Sequence, residues 1–305
     1  MKVVVVIGSS NTDMVVSTDK APLPGETVLG SGFFMAPGGK GANQAVAAAR
    51  SGAKVIFVTR LGRDVFGKTA LANFERDGID AAYVFIDKSE PSGTALITVD
   101  KKAQNSIVVA PGANRKLSPS DIKRAEAAIK NAACVVLQQE MPEETVEFAV
   151  SLAHAYKVPV ILNPAPARKI NKAVLKKVYL LNPNETEAFF LSGIKIAGKS
   201  SAKAAAAKLL RFGPENVIIT LGSKGVFAAG KGFEMFVPAF KVKAVDTTAA
   251  GDTFTGGFAA ALAAGKDFYD SVRFGSAAAA LCVTKKGAQS SIPFLAETVR
   301  FLGSR

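Results

Sequence analysis

Short apolar runs typical of strands alternate with helical segments along most of this 305-residue chain, and the alternation limits the folds it can adopt. The first run, residues 2–7, is continuous and β-branched, which is typical of a strand buried on both faces. From Lys54 onward strands are predicted at 55–61, 134–138, 160–162, 178–181 and 217–221, and helices at 66–77, 119–130, 143–156, 185–191 and 201–212. Because parallel strands need a crossover, usually a helix, this series predicts a three-layer α/β/α fold with a doubly wound, mostly parallel sheet.

A second group of predicted strands has no helices between its members. Residues 94–99 and 105–109 follow each other directly, so we expect them to pair antiparallel, and 82–86 is a further hairpin-like strand. With strands near 14–16 and 28–34, the first two predict a small sheet outside the main one, formed from about 12–36 and 92–110. Such a sheet needs a cover on its open face, which a second copy of the chain or a bound sugar would supply.

Composition excludes several classes of function. With 49% apolar residues the chain can bury a large core, and we expect a single large domain. The net charge of +13 is spread over scattered lysines and arginines without aromatic platforms, which favours an anionic small molecule over nucleic acid. No apolar run reaches transmembrane length, so we expect no membrane association.

The rarity of cysteine and histidine narrows the chemistry further. Cys134 and Cys282 both lie in apolar surroundings, which is typical of buried thiols in a reducing cytoplasm. The lone histidine, His154, falls within a predicted helix, where a surface or packing role is expected. Zinc chemistry and a Ser-His triad are therefore not expected.

The segment 245–258, V-D-T-T-A-A-G-D-T-F-T-G-G-F, predicts a helix N-terminus at its centre. Ala249, Ala250 and Gly251 lead into Asp252, and helix formers follow. Such a terminus attracts a phosphate or a developing oxyanion, and a carboxylate beside it can accept a proton from a hydroxyl group. The alternative is that Asp252 only caps the helix, a role in which aspartate is common.

Two polar clusters fall where parallel strands are predicted to end. Asn11 and Asp13 follow the first strand, and the motif Gly38-Gly39-Lys40-Gly41-Ala42-Asn43 opens a helix predicted at 42–50. Glycines allow a ligand to approach the backbone, and Lys40 and Asn43 supply donors that suit hydroxyl groups. Ligands of open α/β sheets bind at the carboxyl ends of strands, so a polyol site is expected here, although a lone glycine cluster is more often an ordinary turn.

The segment 62–69, G-R-D-V-F-G-K-T, matches the phosphate-binding pattern G-x-x-x-x-G-K-T. Val65 and Phe66 are bulky, and no downstream strand ends in a matching magnesium-binding aspartate. We therefore predict a helix capped by Asp64, with Gly67 allowing close packing, rather than a nucleotide site.

Three further segments join strands or helices to possible ligand loops. Residues 182–187, N-P-N-E-T-E, can hold Mg²⁺ through water or can simply cap a helix. Residues 220–225 form a glycine turn able to wrap a phosphate or nucleotide, and the irregular loop 283–291 offers carbonyl groups that can cage a monovalent cation.

Taken together these motifs resemble the ribokinase (PfkB-type) family of sugar kinases. The resemblance covers essentially the whole chain, and the motifs occur in the family's order: G-S-S-N-T-D at 8–13, P-G-G-K-G-A-N-Q-A at 37–45, N-P-A-P at 163–166, N-x-x-E at 184–187, D-T-T-A-A-G-D at 246–252 and K-G-A-Q at 286–289. It implies transfer of the ATP γ-phosphoryl group to a sugar hydroxyl, O5 in the case of D-ribose.

The resemblance also implies a role for individual residues. Asp252 would be the catalytic base, and the amides of Ala249, Ala250 and Gly251 would form the anion hole. The residues implied to hold the sugar are Asn11, Asp13, Gly39, Lys40, Asn43 and Glu140. The residues implied to line the ATP site are Asn184, Thr220, Gly222, Ser223, Lys224, Gly225, Gly251 and Ser276.

Metal ions and a partner follow from the same resemblance. Glu187 would help to position Mg²⁺, and the residues implied to surround an activating K⁺ are Asp246, Thr248, Cys282, Lys285, Gly287 and Ser291. The small sheet would cover the sugar as a lid and form a homodimer interface. Ser276 replaces the His or Asn that such kinases often place against adenine, and Thr248 stands where Ile is frequent.

Two other functions are compatible with the sequence. A related kinase acting on 2-deoxyribose, another sugar or a nucleoside would share the phosphoryl chemistry and differ in a few sugar contacts. A non-catalytic regulator that binds a sugar or nucleotide is possible on the same fold, but retention of Asp252 and of the anion-hole residues argues against it.

Overall fold

A run of β-branched residues forms the centre of the molecule. In the computed structural model, which describes residues 2–102 and 104–304, strand β1 (Val3–Ile7) lies between two parallel neighbours. Val5 and Ile7 are buried in one hydrophobic core, and Val4 and Val6 in a second core on the opposite face. Successive side chains of a strand point to opposite faces, so the continuous apolar run is explained by burial on both sides.

The strands of the described residues form two sheets. In chain order they are β1, β2 (Asn11–Thr18), β3 (Gly30–Gly38), β4 (Lys54–Gly62), β5 (Val84–Asp87), β6 (Gly93–Val99), β7 (Asn105–Ala110), β8 (Ala132–Leu137), β9 (Val160–Leu162), β10 (Leu180–Leu181), β11 (Asn216–Thr220), β12 (Gly225–Gly230) and β13 (Phe233–Pro238). The main sheet has the order β13-β12-β11-β10-β9-β8-β1-β4-β5. All neighbours in it are parallel except for the antiparallel pairs β11–β12 and β12–β13.

Helices cover both faces of the main sheet. They are α1 (Lys40–Arg50), α2 (Val65–Arg76), α3 (Pro119–Arg124), α4 (Glu126–Lys130), α5 (Glu143–Ala155), α6 (Lys172–Leu175), α7 (Glu185–Ser192), α8 (Lys199–Leu210), α9 (Ala250–Ala263), α10 (Phe268–Cys282) and α11 (Leu295–Gly303). One core contains residues of α3 to α8, and the other contains residues of α1, α2, α9 and α10. The predicted three-layer α/β/α fold is confirmed. Among residues 2–102 and 104–304, no helix has the length and hydropathy of a transmembrane span.

The second sheet stands apart from the main one, in the order β3-β2-β6-β7. Strands β6 and β7 pair antiparallel, as predicted, and so do β2 and β3. The two hairpins are joined through a parallel pair, β2–β6. We call these four strands the small sheet.

Several predicted elements differ from the structure. Residues 82–86 were predicted as a hairpin-like strand, but β5 is a parallel edge strand of the main sheet. The helix predicted over 119–130 is two helices that meet at Ala125. The hairpin β12–β13 was not predicted, because its small residues Ala228 to Gly230 carry a weak strand signal and its stability comes from pairing with β11.

The segment 62–69 is a capped helix start. Asp64 Oδ1 accepts hydrogen bonds from the amide of Gly67 at 2.8 Å and from the Ser92 hydroxyl at 2.7 Å, so its carboxylate is occupied with protein groups. A side chain at Gly67 would collide with the carbonyl of Gly62, and Lys68 is exposed. The prediction of a helix capped by Asp64 is confirmed. His154 lies exposed in the last turn of α5, and both cysteines are free and buried.

Candidate active site

The carboxyl ends of the central parallel strands converge on the N-termini of α1 and α9. Polar residues that follow these strands are buried, although loops after strands are usually exposed. They include Ser9 after β1, Gln138 after β8, Asn163 after β9 and Asn182 after β10. Burying so many hydrogen-bonding groups requires partners for them, and several of those partners, including Gln44 and Thr255, lie on the two helices.

Helix α9 begins without a side-chain cap. Its N-cap residue, Ala249, has a φ of 59°, in the left-handed region that costs a non-glycine residue roughly 1–2 kcal/mol. The amide of Ala250 donates to the carbonyl of Thr247 at 3.3 Å, so it is partly occupied. Gly251 is exposed, and an added Cβ would meet no atom of the other described residues, beyond its own helix turn, within 4 Å. The first turn is therefore open to an anion, with Gly251 as its most accessible residue.

Asp252 lies in the first turn of α9 but does not cap it. Its side chain is 7% exposed and is directed to helix α1, where Asn43 Nδ2 donates to Oδ2 at 3.0 Å and Gln44 Nε2 donates to Oδ1 at 2.9 Å. The interpretation of Asp252 as a simple helix cap is therefore wrong. Each oxygen of the carboxylate has one amide donor, which leaves acceptor capacity for a hydroxyl group.

Glycines allow the N-terminus of α1 to pack directly on the loop after β1. Gly39 has a φ of 87°, and a Cβ there would lie 2.7 Å from the amide nitrogen of Asn11. A Cβ at Gly41 would lie 2.6 Å from the carbonyl carbon of Gly8, which no rotamer could relieve. The motif at 38–43 is thus required for close backbone contact between the two predicted polar clusters.

Two more carboxyl groups lie beside this contact. Glu140 Oε2 accepts hydrogen bonds from the Ser9 hydroxyl at 2.5 Å and from the amide of Lys40 at 3.0 Å. The pKa of Asp13 is raised to about 6, first by burial and then by the charges of Glu140 and Asp252, against the opposing charge of Lys40. The structure thus brings Asp13, Lys40, Glu140 and Asp252 into one electrostatic unit.

The ammonium group of Lys40 lies in the field of all these carboxylates. Its pKa is raised, first by Asp252 and then by Glu140, Glu187 and Asp13, against the opposing effect of burial. Lys40 therefore stays protonated, and these four carboxylates share its positive charge.

The residues predicted at the ATP site fall in two places. Asn184 pairs with Thr220 in an isolated parallel β-bridge, next to the short turn Gly222–Lys224. In this turn Lys224 Nζ lies 3.7 Å from a carboxylate oxygen of Glu185. Ser276 lies on α10, nearly buried, and its hydroxyl has no hydrogen-bond partner within the described residues. The structure thus joins Asn184 to the glycine turn, whereas within the described residues the Ser276 hydroxyl donates no hydrogen bond to either.

Glu187 and Asn184 form a reciprocal cap at the start of α7. Glu187 accepts from the amide and the side chain of Asn184, both at 2.9 Å, while Asn184 Oδ1 accepts from the amide of Glu187. Burial raises the pKa of Glu187, opposed by the Asn184 amide and by Lys40. Both predicted interpretations of this segment, as a cap and as a carboxylate near the site, are compatible with this geometry.

Most residues predicted around a monovalent cation lie together. Asp246 accepts from the amide and hydroxyl of Thr248 at 2.9 and 2.7 Å and from the amide of Gly287 at 2.9 Å. Cys282 Sγ lies 3.0 Å from the Ser291 hydroxyl and 3.7 Å from the carbonyl of Thr248. The side chain of Lys285 instead pairs with Glu297 at the surface. Within the described residues no group of three or more His, Cys, Asp or Glu side chains is arranged to hold a metal.

Sequence reasoning missed a network of buried amides around Asp252. Gln44, Gln138, Asn163 and Asn182 were not predicted as site residues, and neither was Asn114, which bonds to the backbone of Ser10 in both directions. One signal was available: Gln44 interrupts an alanine-rich helix on its buried face, where an uncompensated polar side chain would be costly.

The arrangement suits the transfer of an anionic group to an alcohol. A buried carboxylate is positioned to accept a proton, an uncapped helix N-terminus can hold an anion, and a protonated lysine balances the charge. The carboxyl groups of Asp13 and Glu140 provide acceptors for further hydroxyls of a polyol.

Comparisons with known proteins agree with this geometry. The model of the pfkB family of carbohydrate kinases matches residues 1–295. A Haemophilus influenzae protein named ribokinase is 48% identical over 301 residues, covering 99% of this chain and 98% of the relative, and a Salmonella typhi deoxyribokinase is 39% identical with 98% of each chain covered. The structure of Arabidopsis thaliana ribokinase complexed with ribose and ATP superposes with a TM-score of 0.92 at 34% identity, covering 99% of this chain and 98% of that one.

The raised pKa of Asp13 predicts a pH-dependent stability. Its folded value of about 6 lies above the ordinary 3.8, so its stabilising contribution is present below pH 4 and is lost as the pH rises through 6. Asp13→Asn should therefore raise the melting temperature of the sugar-free protein at pH 8 and change it little at pH 4. Thermal unfolding at both values measures this, with Asp19→Asn, an exposed carboxylate just beyond β2, as the matched control. An equal change at both pH values would contradict the assignment.

Proposed function

The chain belongs to the pfkB family of carbohydrate kinases, and from this premise we propose that it is an ATP-dependent ribokinase that phosphorylates D-ribose at O5. The single observation that carries the proposal is the carboxylate of Asp252, held by two amides of α1 beside the uncapped start of α9. The names of the relatives support the substrate: one at 48% identity is a ribokinase, and one at 34% was solved with ribose and ATP.

In the proposed reaction Asp252 acts as general base. Its carboxylate accepts the proton of the O5 hydroxyl while O5 attacks the γ-phosphorus, and the bond from that phosphorus to the bridging oxygen of ADP breaks. The first turn of α9, with Gly251 at its open side and the amides of Ala249 and Ala250 beside it, stabilises the negative charge on the transferring group. Lys40, whose pKa is raised by Asp252, contributes a positive charge close to the base.

The sugar is held between the small sheet and α1. Asp13 and Glu140 accept hydrogen bonds from ribose hydroxyls, while Asn11, Gly39 and Lys40 complete the contact surface. Asn43 was predicted to bind the sugar, and its amide is also bonded to Asp252 and to Gln289, so any hydroxyl it contacts is placed beside the base.

ATP lies, in this proposal, along the carboxyl ends of β10 and β11. Its path toward Gly251 is lined by Asn184, Thr220 and the turn from Gly222 to Gly225, which includes Ser223 and Lys224. Ser276 borders the adenine ring. Mg²⁺ carried by ATP would neutralise phosphate charge, and Glu187 fits it as an oxygen ligand acting through water, because both of its oxygens keep lone pairs beyond their bonds to Asn184.

A monovalent cation, K⁺, is proposed as an activator beside the first turn of α9. This site is rich in oxygen atoms, which suits K⁺: it includes the carbonyl of Thr248 and polar atoms of Asp246, Gly287 and Ser291. The Lys285 side chain points away from it. Turnover compared in potassium and tetramethylammonium chloride tests this part of the proposal.

We further propose a cytoplasmic homodimer that forms through the small sheet. The register of its strands places Phe33, Met35, Leu96 and Val108 on one face, opposite to Asp13, and each of these apolar side chains is more than half exposed. A contiguous apolar face of this kind favours a protein partner. Replacing Phe33 and Val108 by Ser should shift the sedimentation coefficient from dimer to monomer.

A second candidate function is phosphorylation of 2-deoxy-D-ribose. The Salmonella relative named deoxyribokinase is 39% identical across nearly the whole chain, only nine percentage points below the Haemophilus ribokinase. The two sugars differ in one hydroxyl group, so the preference depends on which protein group binds that hydroxyl, with Asp13 and Glu140 as the candidates we propose.

Asp252→Asn should bind ribose but lose on the order of a thousandfold in turnover, because the base and its positioning act together. A coupled assay of ADP release across D-ribose, 2-deoxy-D-ribose, fructose and adenosine measures both the loss and the substrate preference. Near-normal turnover in the variant would reject Asp252 as base. Equal or better turnover of another substrate would overturn the ribose assignment.

Gly251→Ala separates stability from activity at the anion site. The added methyl group meets no protein atom, so stability should rise by about 0.4–1 kcal/mol, as for other compatible Gly→Ala changes. Turnover should fall about tenfold or more, because the methyl group occupies space needed by the phosphoryl group. Gly303→Ala, another glycine with open space at a helix end, is the control. Full activity in Gly251→Ala would place the anion elsewhere.

A further inference from the structure

Gln44 is at the centre of the buried amide network that contacts Asp252. Its Nε2 donates to Asp252 Oδ1 at 2.9 Å and to Asn163 Oδ1 at 3.2 Å, and its Oε1 accepts from Gln138 Nε2 at 2.7 Å. Gln44, Gln138 and Asn163 are nearly or fully buried. Every hydrogen-bonding direction of the Gln44 amide except one lone pair is thus used by a protein group.

These contacts fix which way the Gln44 amide faces. Turning it over would place Oε1 against the carboxylate of Asp252 and Nε2 against the donor of Gln138, so both bonds would become repulsive. The observed orientation presents an N–H group to Asp252, and only a donor in this position can stabilise the charged carboxylate.

The network is anchored to the main sheet as well as to α1. Asn163 follows β9 and donates to the carbonyl of Asn182 at 2.9 Å, and Asn182 Oδ1 accepts from Thr255 of α9 at 2.9 Å. Gln138 follows β8 and lies against Gly8, where any side chain would collide with its Oε1. Gln44 therefore connects three strand ends with the helix that carries the base.

We propose that Gln44 is a positioning residue that holds the carboxylate of Asp252 in the orientation needed to deprotonate the sugar, an inference that rests on the proposed role of Asp252 as base. Asn43 holds the other carboxylate oxygen but belongs to the helix terminus that faces the ligand. Gln44 is fully buried, so we infer that it acts through Asp252 and not by touching a ligand.

A double-mutant cycle tests the inference. Gln44→Met keeps the side-chain volume and removes the donor, so kcat should fall about tenfold to a hundredfold, while KM for ribose and ATP changes less than about threefold. In an Asp252→Ala background, with residual phosphoryl transfer followed by radiolabelled ATP, the same substitution should change kcat by less than about twofold. Equal losses in both backgrounds would show a general structural role and overturn the proposal.

Two further variants keep the result interpretable. Asn216 is the first residue of β11, so it lies at the end of the main sheet away from the site. Asn216→Leu removes its buried amide, which bonds to the carbonyl of Tyr179, and should lower stability without changing kcat. If Gln44→Met does not yield folded protein, Gln44→Asn takes its place, because its shorter side chain keeps the amide but not the reach to Oδ1.

Crystal structures separate a failure of this inference from a failure of the proposed function. If the proposed function is wrong, the wild-type protein will phosphorylate no sugar in the assay. In either case the structure of Gln44→Met should show the Asp252 carboxylate rotated away from its wild-type plane. An unchanged carboxylate in that variant would overturn the role of Gln44, whatever the substrate.

Discussion

The buried charge of Asp252 is the constraint on which the rest of the site depends. Removing an ionised carboxylate from water costs several kcal/mol, and among the described residues no cation donates a hydrogen bond to this one. Two side-chain amides offset the cost, each contributing about 1.5–3 kcal/mol as a bond to a charged group, and the start of α9 and the nearby Lys40 add a favourable field. A base held in this way needs little reorganisation when a hydroxyl approaches.

Much of the local sequence is explained by the need to stabilise the charge of Asp252. The amides that reach it come from α1, so α1 must lie against the loop after β1, and this close contact requires glycine at 39 and 41. The same loop leads into β2, which buries Asp13 beside Glu140 and Asp252, and burial first and then these charges raise its pKa to about 6. The small sheet, α1 and the base are therefore coupled through a few short contacts near Gly39.

Sequence patterns predicted the layers and the strand ends well, because alternating apolar runs report burial on each face directly. They could not identify Gln44 as a partner of Asp252, or Asn163 as a partner of Gln44, since those contacts join residues more than a hundred positions apart. The left-handed backbone conformation of Ala249 was also not predicted, because alanine, unlike glycine, gives no sequence signal for a positive φ. Asp252 itself looked like a cap, and only the direction of its side chain toward α1 distinguishes the two roles.

A crystal structure with D-ribose and a non-hydrolysable ATP analogue tests the central claim most directly. The account predicts that one oxygen of the Asp252 carboxylate lies about 2.6–3.2 Å from the ribose O5, with the γ-phosphate at the first turn of α9. A carboxylate that contacts only Asn43 and Gln44, with every ribose hydroxyl beyond about 5 Å, would contradict its role as base.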